Sequence, residues 1–406
     1  MKPYPVQAGF ETATATERKD LSLRKATLLC LAALTVMAGA TVAPSLPALE
    51  NHFADSANSE LLTRLVLTLP ALFIALFAPL AGVVSDRFGR RRLLLSSVLL
   101  YGLAGVSGLL ADSLPGILVG RALLGIAVAG TMTSVTALVG DYFSGAEQGK
   151  YMAQQGAFIS FGGVVFLVLG GLLADLHWRA PFAVYAIALL LLPAALFFLG
   201  EPVRDRDTAE SAGNAAQVPY FPLAALFAAA LLNSLVFYLI PTQLPFLLRE
   251  IGTVLPSHAG QAIAGGNLMG AVSSLFFYRR IRERLGAPGL FAFCFAFMAA
   301  GMLLISAADS FAAVMAATAV YGVGMGALMP HLFASAIHLA SERMRGRISG
   351  GLTTSIFIGQ FLSPLASQPW IDRFGLAAGF SFAGMLLLLP ASAVAAATLW
   401  RLLERT

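Results

Sequence analysis

The sequence predicts an all-α integral membrane protein with 12 transmembrane helices arranged as two pseudo-symmetric six-helix bundles. Three observations support this prediction: the apolar composition, the number of long apolar runs and an internal repeat. The chain of 406 residues is 58% hydrophobic and 12% charged, whereas soluble proteins carry about 25% charged residues. The 39 Gly residues fit the same class, because glycine is commoner in membrane helices than in soluble ones.

Twelve apolar runs are each long enough to cross a bilayer. The hydrocarbon core is about 30 Å thick, so a helix needs about 20 apolar residues to cross it. Prolines such as Pro70, Pro79 and Pro364 lie inside the runs, and membrane helices tolerate them when neighbouring groups satisfy the freed carbonyls. The runs begin near residues 26, 61, 93, 116, 151, 181, 220, 260, 288, 311, 348 and 376.

The basic residues predict the orientation of the spans, because Lys and Arg accumulate on cytoplasmic segments. We expect a multi-pass protein of the cell inner (plasma) membrane with both termini in the cytoplasm. The net charge of +5 then follows from topology and predicts no nucleic-acid partner. The first run is long enough to span, so we interpret it as a membrane helix and not as a signal peptide. This orientation places every Lys and Arg on cytoplasmic segments except Arg64, Arg121, Arg179, Arg249 and Arg373.

The second half of the sequence repeats the first at one constant offset of 197 positions. Six spans per half is an even number, so the halves share their orientation and should be related by an axis along the membrane normal. The matched positions are Pro44 and Pro241, Gly125 and Gly322, Gly149 and Gly346, Asp175 and Asp372, and the stretches 86–89 and 283–286.

The repeat predicts four segments. Residues 1–25 form a cytoplasmic N-terminal tail, which we expect to be disordered. Residues 26–199 form the N-terminal six-helix bundle, and residues 220–406 form the C-terminal one. Between them, residues 200–219 form a polar cytoplasmic linker.

The stretch GVVSDRFGRRRLL, which begins at Gly82, concentrates charge between the second and third spans. Asp86 ends a span, where the helix dipole disfavours a carboxylate. We expect arginines or helix N-terminal amides to receive it. Two interpretations remain open: a positively charged anchor with an incidental acid, or a charge-based latch that holds one of two conformational states.

This stretch resembles the signature of the major facilitator superfamily, on Gly82, Asp86, Arg87, Gly89, Arg90 and Arg91. GRALLGIAVAG, with Arg121 and Gly125, is similar to the fourth-helix motif of that family. DYFSGAEQGKYMAQQG resembles the loop that follows. The resemblance implies alternating access by rocking of the two halves, usually coupled to protons, and it implies that Asp141 joins the latch.

Within the superfamily, the pattern is most similar to bacterial twelve-helix drug or metabolite:proton antiporters. Their fifth helix typically carries G-x-x-x-G-P-x-x-G-G. Here Gly162, Gly170 and Gly171 fit, but Phe166 and Leu167 replace the Gly-Pro pair. That departure weakens the assignment of export.

Arg121, His331 and Asp86 are the candidates for proton coupling, because the middle of every predicted span lacks Asp and Glu. Arg121 either reaches the membrane interface or faces the central cavity, where the resemblance places it. His331 either bonds a neighbouring helix or titrates in the physiological range. Arg64, nearer the end of its span, is interpreted as an interface anchor.

Five further polar residues inside the spans are candidates for the substrate cavity. Each either binds substrate or holds helices together. The high aromatic content favours an amphipathic or apolar solute, because ligand pockets are mostly apolar with few polar groups. The candidates are Asn233, Tyr238, Gln243, Asn267 and Gln360.

The sequence therefore predicts a secondary active transporter, not an enzyme, with a small-molecule substrate, protons and the lipid bilayer as partners. Histidines without metal-ligand spacing predict no metal site, and no cofactor is expected. A P-loop motif is missing, so direct ATP drive is not expected. We predict proton-coupled efflux by a monomer. Proton symport or uniport for uptake, and a membrane sensor without transport, are the alternatives.

Overall fold

The structure is a computed structural model that describes residues 15–201, 220–339 and 344–403. Throughout these ranges the regular secondary structure is helical. Most of the predicted linker 200–219 and the first part of the predicted tail lie outside the described residues.

Thirteen α-helices follow one another along the described chain, and some are joined by short 3₁₀ or π-helical turns. They are α1 (Ala15–Ala40), α2 (Leu46–His52), α3 (Ser59–Phe88), α4 (Arg90–Val106), α5 (Leu114–Tyr142), α6 (Gly145–Leu176), α7 (Ile187–Phe198), α8 (Tyr220–Glu250), α9 (Pro256–Val272), α10 (Tyr278–Ser306), α11 (Phe311–Leu339), α12 (Arg345–Phe374) and α13 (Leu376–Leu403).

Ten segments of the described chain are long and apolar enough to cross a membrane. One of them, Pro256–Ser306, has 51 residues and is broken at Gly286, whose φ is 68° and ψ is −178°. It therefore contains two of the predicted spans. Helix α12 has 30 residues, but its Ser, Gln and Arg side chains lower its mean hydropathy. Each of the twelve predicted runs coincides with a helical segment of the described chain, although α1 starts at Ala15 and not near residue 26. The count of twelve membrane crossings stays a prediction.

The internal repeat is visible in the backbone. Gly89 and Gly286 occupy equivalent positions, and both have positive φ, at 102° and 68°. Gly125 packs against the Pro70 carbonyl of α3, and its equivalent Gly322 packs against the Gly266 carbonyl of α9. Equivalent residues thus make equivalent breaks and equivalent helix contacts, as a fold of two related halves requires.

The chain divides into two compact units that cut across the repeat. The first unit comprises Met1–Gly39, Leu69–Gly162 and Phe182–Ala216. In it, α4 packs against α7 and against the 3₁₀ turn that precedes α7, where Gly105 lies against the Tyr185 ring. The Tyr101 hydroxyl donates a 2.6 Å hydrogen bond to the Leu34 carbonyl of α1. Both tyrosine rings are fully buried.

The second unit comprises Ala40–Thr68, Gly163–Pro181 and Gln217–Thr406. In it, α9 and α11 approach closely, with Gly266 and Gly270 lying against Gly322 and Gly326. Small residues allow two backbones to approach closely, which is how helices associate in lipid. The predicted bundle boundaries at 26–199 and 220–406 do not coincide with these units and stay a prediction.

We expect Gly326→Ala to destabilise the protein, because its Cβ would collide with the Gly270 carbonyl. Overpacking of this kind costs about 1–3 kcal/mol. The matched control is Gly350→Ala in α12, where a Cβ meets no atom within 4 Å. Thermal unfolding in detergent should show a lower Tm for Gly326→Ala and an unchanged or higher Tm for the control. Equal Tm values would contradict the packing described for α9 and α11.

Candidate functional site

The arginine motif (Gly82, Asp86, Arg87, Gly89, Arg90 and Arg91) lies where α3 ends and α4 begins. Gly89 links the two helices with φ 102° and ψ 143°, a conformation that side chains with a Cβ disfavour. A Cβ at this position would also lie 2.9 Å from the Glu201 carboxylate. Glycine is therefore required both for the backbone turn and for the approach of Glu201.

Glu201 caps the first turn of α4. Its two carboxylate oxygens accept hydrogen bonds from the main-chain N–H groups of Arg90, at 2.7 Å, and Arg91, at 3.1 Å. A carboxylate at a helix N-terminus satisfies unpaired N–H groups and interacts favourably with the helix dipole. The sequence predicts an acid at arginines or helix amides in this region, but the residue it marks is Asp86 and not Glu201.

The side chains of Arg90 and Arg91 tie α4 to two further helices of the first unit. Arg90 forms an ion pair with Asp141 of α5 and donates a 2.9 Å hydrogen bond to the Ala137 carbonyl. Arg91 donates to the carbonyls of Leu199, at 2.6 Å, and Leu196, at 2.8 Å. These two carbonyls lie at the end of α7, where backbone acceptors have no intrahelical partner.

The other motif residues lie on the last turns of α3. Asp86 and Arg87 are exposed, and the Arg87 guanidinium lies 5.5 Å from the centre of the Phe88 ring. A Cβ at Gly82 would meet no atom of the described chain within 4 Å, so this glycine does not serve a close helix contact here. The described geometry thus centres the motif on Arg90 and Arg91.

Arg121 is enclosed in the first unit and is 1% exposed. Its guanidinium donates to the Tyr185 hydroxyl, at 2.9 Å, and to the Ala38 carbonyl, at 2.6 Å. The Tyr185 hydroxyl donates to the same carbonyl at 2.9 Å. The side chain therefore points into the protein and does not reach for the interface.

One of the predicted cavity residues, Asn267, lines a cavity of the second unit between α8, α9 and α11. The Phe237 and Tyr321 rings, which line the same cavity, are nearly parallel with centroids 6.4 Å apart. Asn233 lies one turn from Phe237 on α8. The cavity holds about 10 Å³, room for a single water molecule.

Two buried polar atoms of this group have no hydrogen-bond partner among the described residues. They are the Tyr321 hydroxyl and the Asn233 Oδ1 atom. The Asn233 Nδ2 group donates only a weak 3.6 Å bond to the Met329 sulfur. Buried polar groups are normally paired, so these two atoms are free to bind a ligand that enters after side chains move. Tyr238 is half-buried beside Phe237, and Gln360 is half-buried on α12.

His331 of α11 is buried next to the break in α10. Its Nε2 atom lies 3.0 Å from the Ala287 carbonyl, and its ring centroid lies 4.4 Å from that of Phe291. Nε2 must carry the proton to donate to a carbonyl, which leaves Nδ1 as an acceptor. Nδ1 has no hydrogen-bond partner among the described residues.

Gln243 and Arg64 lie together, apart from the Phe237–Tyr321 cavity. Gln243 is fully buried and accepts a 3.0 Å hydrogen bond from the Arg64 Nε atom. Arg64 itself is 4% exposed. The interpretation of Arg64 as an interface anchor is therefore wrong, because its guanidinium is hydrogen-bonded inside the protein.

In the described part of the chain, no group of three or more His, Cys, Asp or Glu residues is placed to bind a metal ion. Cys30 and Cys294 are free thiols. The described polar groups instead bind other helices or line small cavities inside an apolar helical fold.

A duplicated bundle of long apolar helices with enclosed polar groups defines a polytopic membrane transporter. The family model described as Major Facilitator Superfamily matches residues 28–364. The chain belongs to this superfamily.

Relatives agree with this membership, and a solved structure shares the fold. The chain is 26% identical over 330 residues to the 3-(3-hydroxy-phenyl)propionate transporter of Escherichia coli (strain K12), which covers 78% of this chain and 75% of that protein. It is 24% identical over 309 residues to multidrug resistance protein 1 of Bacillus subtilis (strain 168), with 73% and 77% covered. The crystal structure of a D-xylose-proton symporter has a TM-score of 0.75 at 16% identity and covers 91% and 96%.

We expect Gly89→Ala to destabilise the protein by about 1–3 kcal/mol, the cost of forcing a Cβ into this backbone region. Gly82→Ala is the matched control in the same motif, since its Cβ meets open space. Thermal unfolding in detergent should separate the two variants. A normal Tm for Gly89→Ala would contradict the strained turn and the capping by Glu201.

Proposed function

We propose that this transporter exports a small amphipathic solute, a drug or a metabolite, in exchange for protons. The two halves of the repeat would alternate in opening a shared pathway to either side of the membrane. Uptake by proton symport, or uniport, is the alternative. The protein would work as a monomer in the cell inner membrane, with both termini in the cytoplasm.

The proposed class of substrate rests on the cavity beside Phe237 and Tyr321. Its wall is made mainly of aromatic and aliphatic side chains, with the polar side chains of Asn267 and Thr318. The unpartnered Tyr321 hydroxyl and Asn233 carbonyl oxygen add one donor and one acceptor nearby. An apolar pocket with a few polar groups suits a solute that is largely apolar and carries one or two hydrogen-bonding groups.

Opening of the cavity is part of this proposal, because about 10 Å³ cannot hold a solute. Phe237, Met325 and Tyr321 line it and have rotatable side chains. Methionine in particular adapts to irregular shapes. Gln360 and Tyr238, both half-buried, would contribute once the pathway widens, whereas Gln243 would act elsewhere.

Within the first half, the arginine motif would act as the conformational latch. The Arg90–Asp141 pair and the Glu201 cap hold α4 against α5 and the end of α7. Gly82, Asp86 and Arg87 would complete it at the end of α3. Such charge pairs can form in one state and open in the other, as a two-state switch requires.

Proton coupling would use Arg121, His331 or Asp86. Arg121 places a fixed positive charge beside the Tyr185 hydroxyl, where it can modulate a proton or an anionic group. The His331 Nδ1 atom can accept a proton, since no described group occupies it. Asp86 is exposed to solvent at the end of α3.

The proposed direction of transport draws on the relatives, of which one is named as a transporter of 3-(3-hydroxy-phenyl)propionate and one as a multidrug resistance protein. A multidrug resistance relative spanning 73% of the chain favours export. The replacement of Gly-Pro by Phe166 and Leu167 in α6 is the sequence feature that points away from it.

Tyr321→Phe should raise KM about five- to tenfold without lowering Tm. The hydroxyl has no partner among the described residues, so its loss breaks no described protein contact but removes about 1 kcal/mol of bonding to a solute. Tyr220→Phe, at an exposed tyrosine on the same unit, is the control and should match wild type. Uptake of radiolabelled aromatic acids and cations into inverted vesicles gives KM. An unchanged KM for every transported solute would remove Tyr321 from the binding site.

Flux in proteoliposomes under an imposed pH gradient tests the coupling. Reversing the gradient should reverse net solute movement in wild type. Arg121→Ala and Asp86→Asn should lower gradient-driven flux at least tenfold if they serve coupling or the latch, and Arg92→Ala, at an exposed arginine, should not. Flux that is the same under both gradients would rule out proton coupling and favour uniport.

A further inference from the structure

We propose that Arg64, Gln243 and Gln368 form a polar clasp that closes the transport pathway at the end of α3 opposite the arginine motif. The clasp joins α3 of the first half to α8 and α12 of the second half. Its three residues would be positioning residues, which set the balance between two conformations and do not touch the solute.

Arg64 is the centre of the clasp. Its Nε atom donates to Gln243 Oε1 at 3.0 Å, and its Nη1 atom donates to Glu50 Oε2 at 2.5 Å and to the Glu60 carbonyl at 2.7 Å. The guanidinium also lies 4.1 Å from the centre of the Phe246 ring of α8. The planar fork of arginine suits such fixed, multiple contacts.

The two glutamines continue the network to α12 and back to α3. Gln243 Nε2 donates to Gln368 Oε1 at 3.1 Å, and Gln368 Nε2 donates to Glu60 Oε2 at 3.2 Å and to Asp372 Oδ1 at 2.6 Å. The main-chain carbonyl of Glu60 accepts from Arg64, and its carboxylate accepts from Gln368. Hydrogen bonds therefore form a closed ring that links α3 to α8, α8 to α12 and α12 back to α3. Gln243 and Gln368 are 0% and 5% exposed.

Two bonds of this ring cross from the first half of the sequence to the second, namely Arg64–Gln243 and Gln368–Glu60. The halves cannot separate at this end without breaking both bonds and uncovering a buried guanidinium. Removing one partner of a buried polar pair costs more than the pair contributes. The ring therefore stabilises the closed arrangement specifically.

Water can form hydrogen bonds with the polar groups of the clasp when the clasp opens. A pocket of about 400 Å³ is lined by Glu50, Glu60, Arg64, Gln368 and Asp372, together with Phe246, Arg249 and Glu250 of α8 and apolar residues that include Leu376. Glu60 and Asp372 are exposed to solvent. Hydrogen bonds lost by Arg64 and Gln368 can thus pass to water, which keeps the cost of opening compatible with a working cycle.

An exposed cross-half contact nearby provides a matched control. Arg249 of α8 donates a 2.8 Å hydrogen bond to Asn51 Oδ1 of α2, outside the ring. Exposed pairs of this kind contribute little. We expect the clasp, and not this contact, to set the conformational balance.

The test measures the distance between the halves at this end. Spin labels are placed at Asp55→Cys and Val254→Cys, two exposed positions of the second unit, with Cys30 and Cys294 replaced by Ser, and the protein is held in lipid nanodiscs. Double electron–electron resonance should show a short-distance population in the parent. Gln243→Leu and Gln368→Leu should each raise the ratio of long to short distances about tenfold, and Arg64→Lys should raise it less. Arg249→Ala should leave it unchanged.

A network that only stabilises the fold, and is present in both conformations, gives a different result. Its loss would lower Tm while the distance distribution stays that of the parent, and this outcome in any folded clasp variant overturns the proposal. Arg64→Lys keeps the charge and serves if the leucine variants do not fold. The inference uses the alternating access of the proposed function, but the distances depend on neither substrate nor protons. A failure of proton coupling or of export would therefore be recognised separately.

Discussion

A polar group inside an apolar helix must find its partner within the protein, because lipid offers none. This constraint accounts for the placement of every buried basic side chain described above. Arg121 is bound by a tyrosine hydroxyl and a backbone carbonyl of α1, and Arg64 by two acidic residues and a glutamine. His331 is bound by the carbonyl next to a helix break. Arg121 and His331 are bound by groups on other helices or turns. Arg64 binds Glu50 of α2 and Gln243 of α8 in addition to a carbonyl of its own helix, so satisfying each group also fixes which helices are neighbours.

The fold was largely predictable, since its signals are local. Apolar runs of membrane length and a repeat at one offset can be counted along the chain, and they lead to the superfamily fold. The structure differs from the prediction where the local composition of a segment does not reveal its contacts. Helix α12 is polar for a spanning helix because Gln368 and its neighbours serve other helices. Helix α1 extends back to Ala15 because a membrane helix can continue into water with polar residues.

The candidate site was only partly predictable, since pairing is a tertiary property. Arg90, Arg121 and His331 stood out as charges or titratable groups in apolar surroundings. Glu201 did not, because an acid at the start of a polar linker resembles any solvated loop residue. Gln368 and Arg64 were missed or misread for a similar reason: their partners are on helices far away in sequence, and a glutamine near a span end carries no local mark of being buried.

The same backbone break is followed by chemically different residues in the two halves. In the first half, Gly89 is followed by Arg90 and Arg91, whose amides need an acidic cap. At the equivalent positions Gly286 is followed by Ala287 and Pro288, and proline has no N–H to be capped. Duplication thus preserved the turn, while the acidic cap that follows it in the first copy meets a proline in the second. Ionic strength should accordingly weaken the charged cap after Gly89 and leave the turn at Gly286, where Pro288 offers no N–H, less affected.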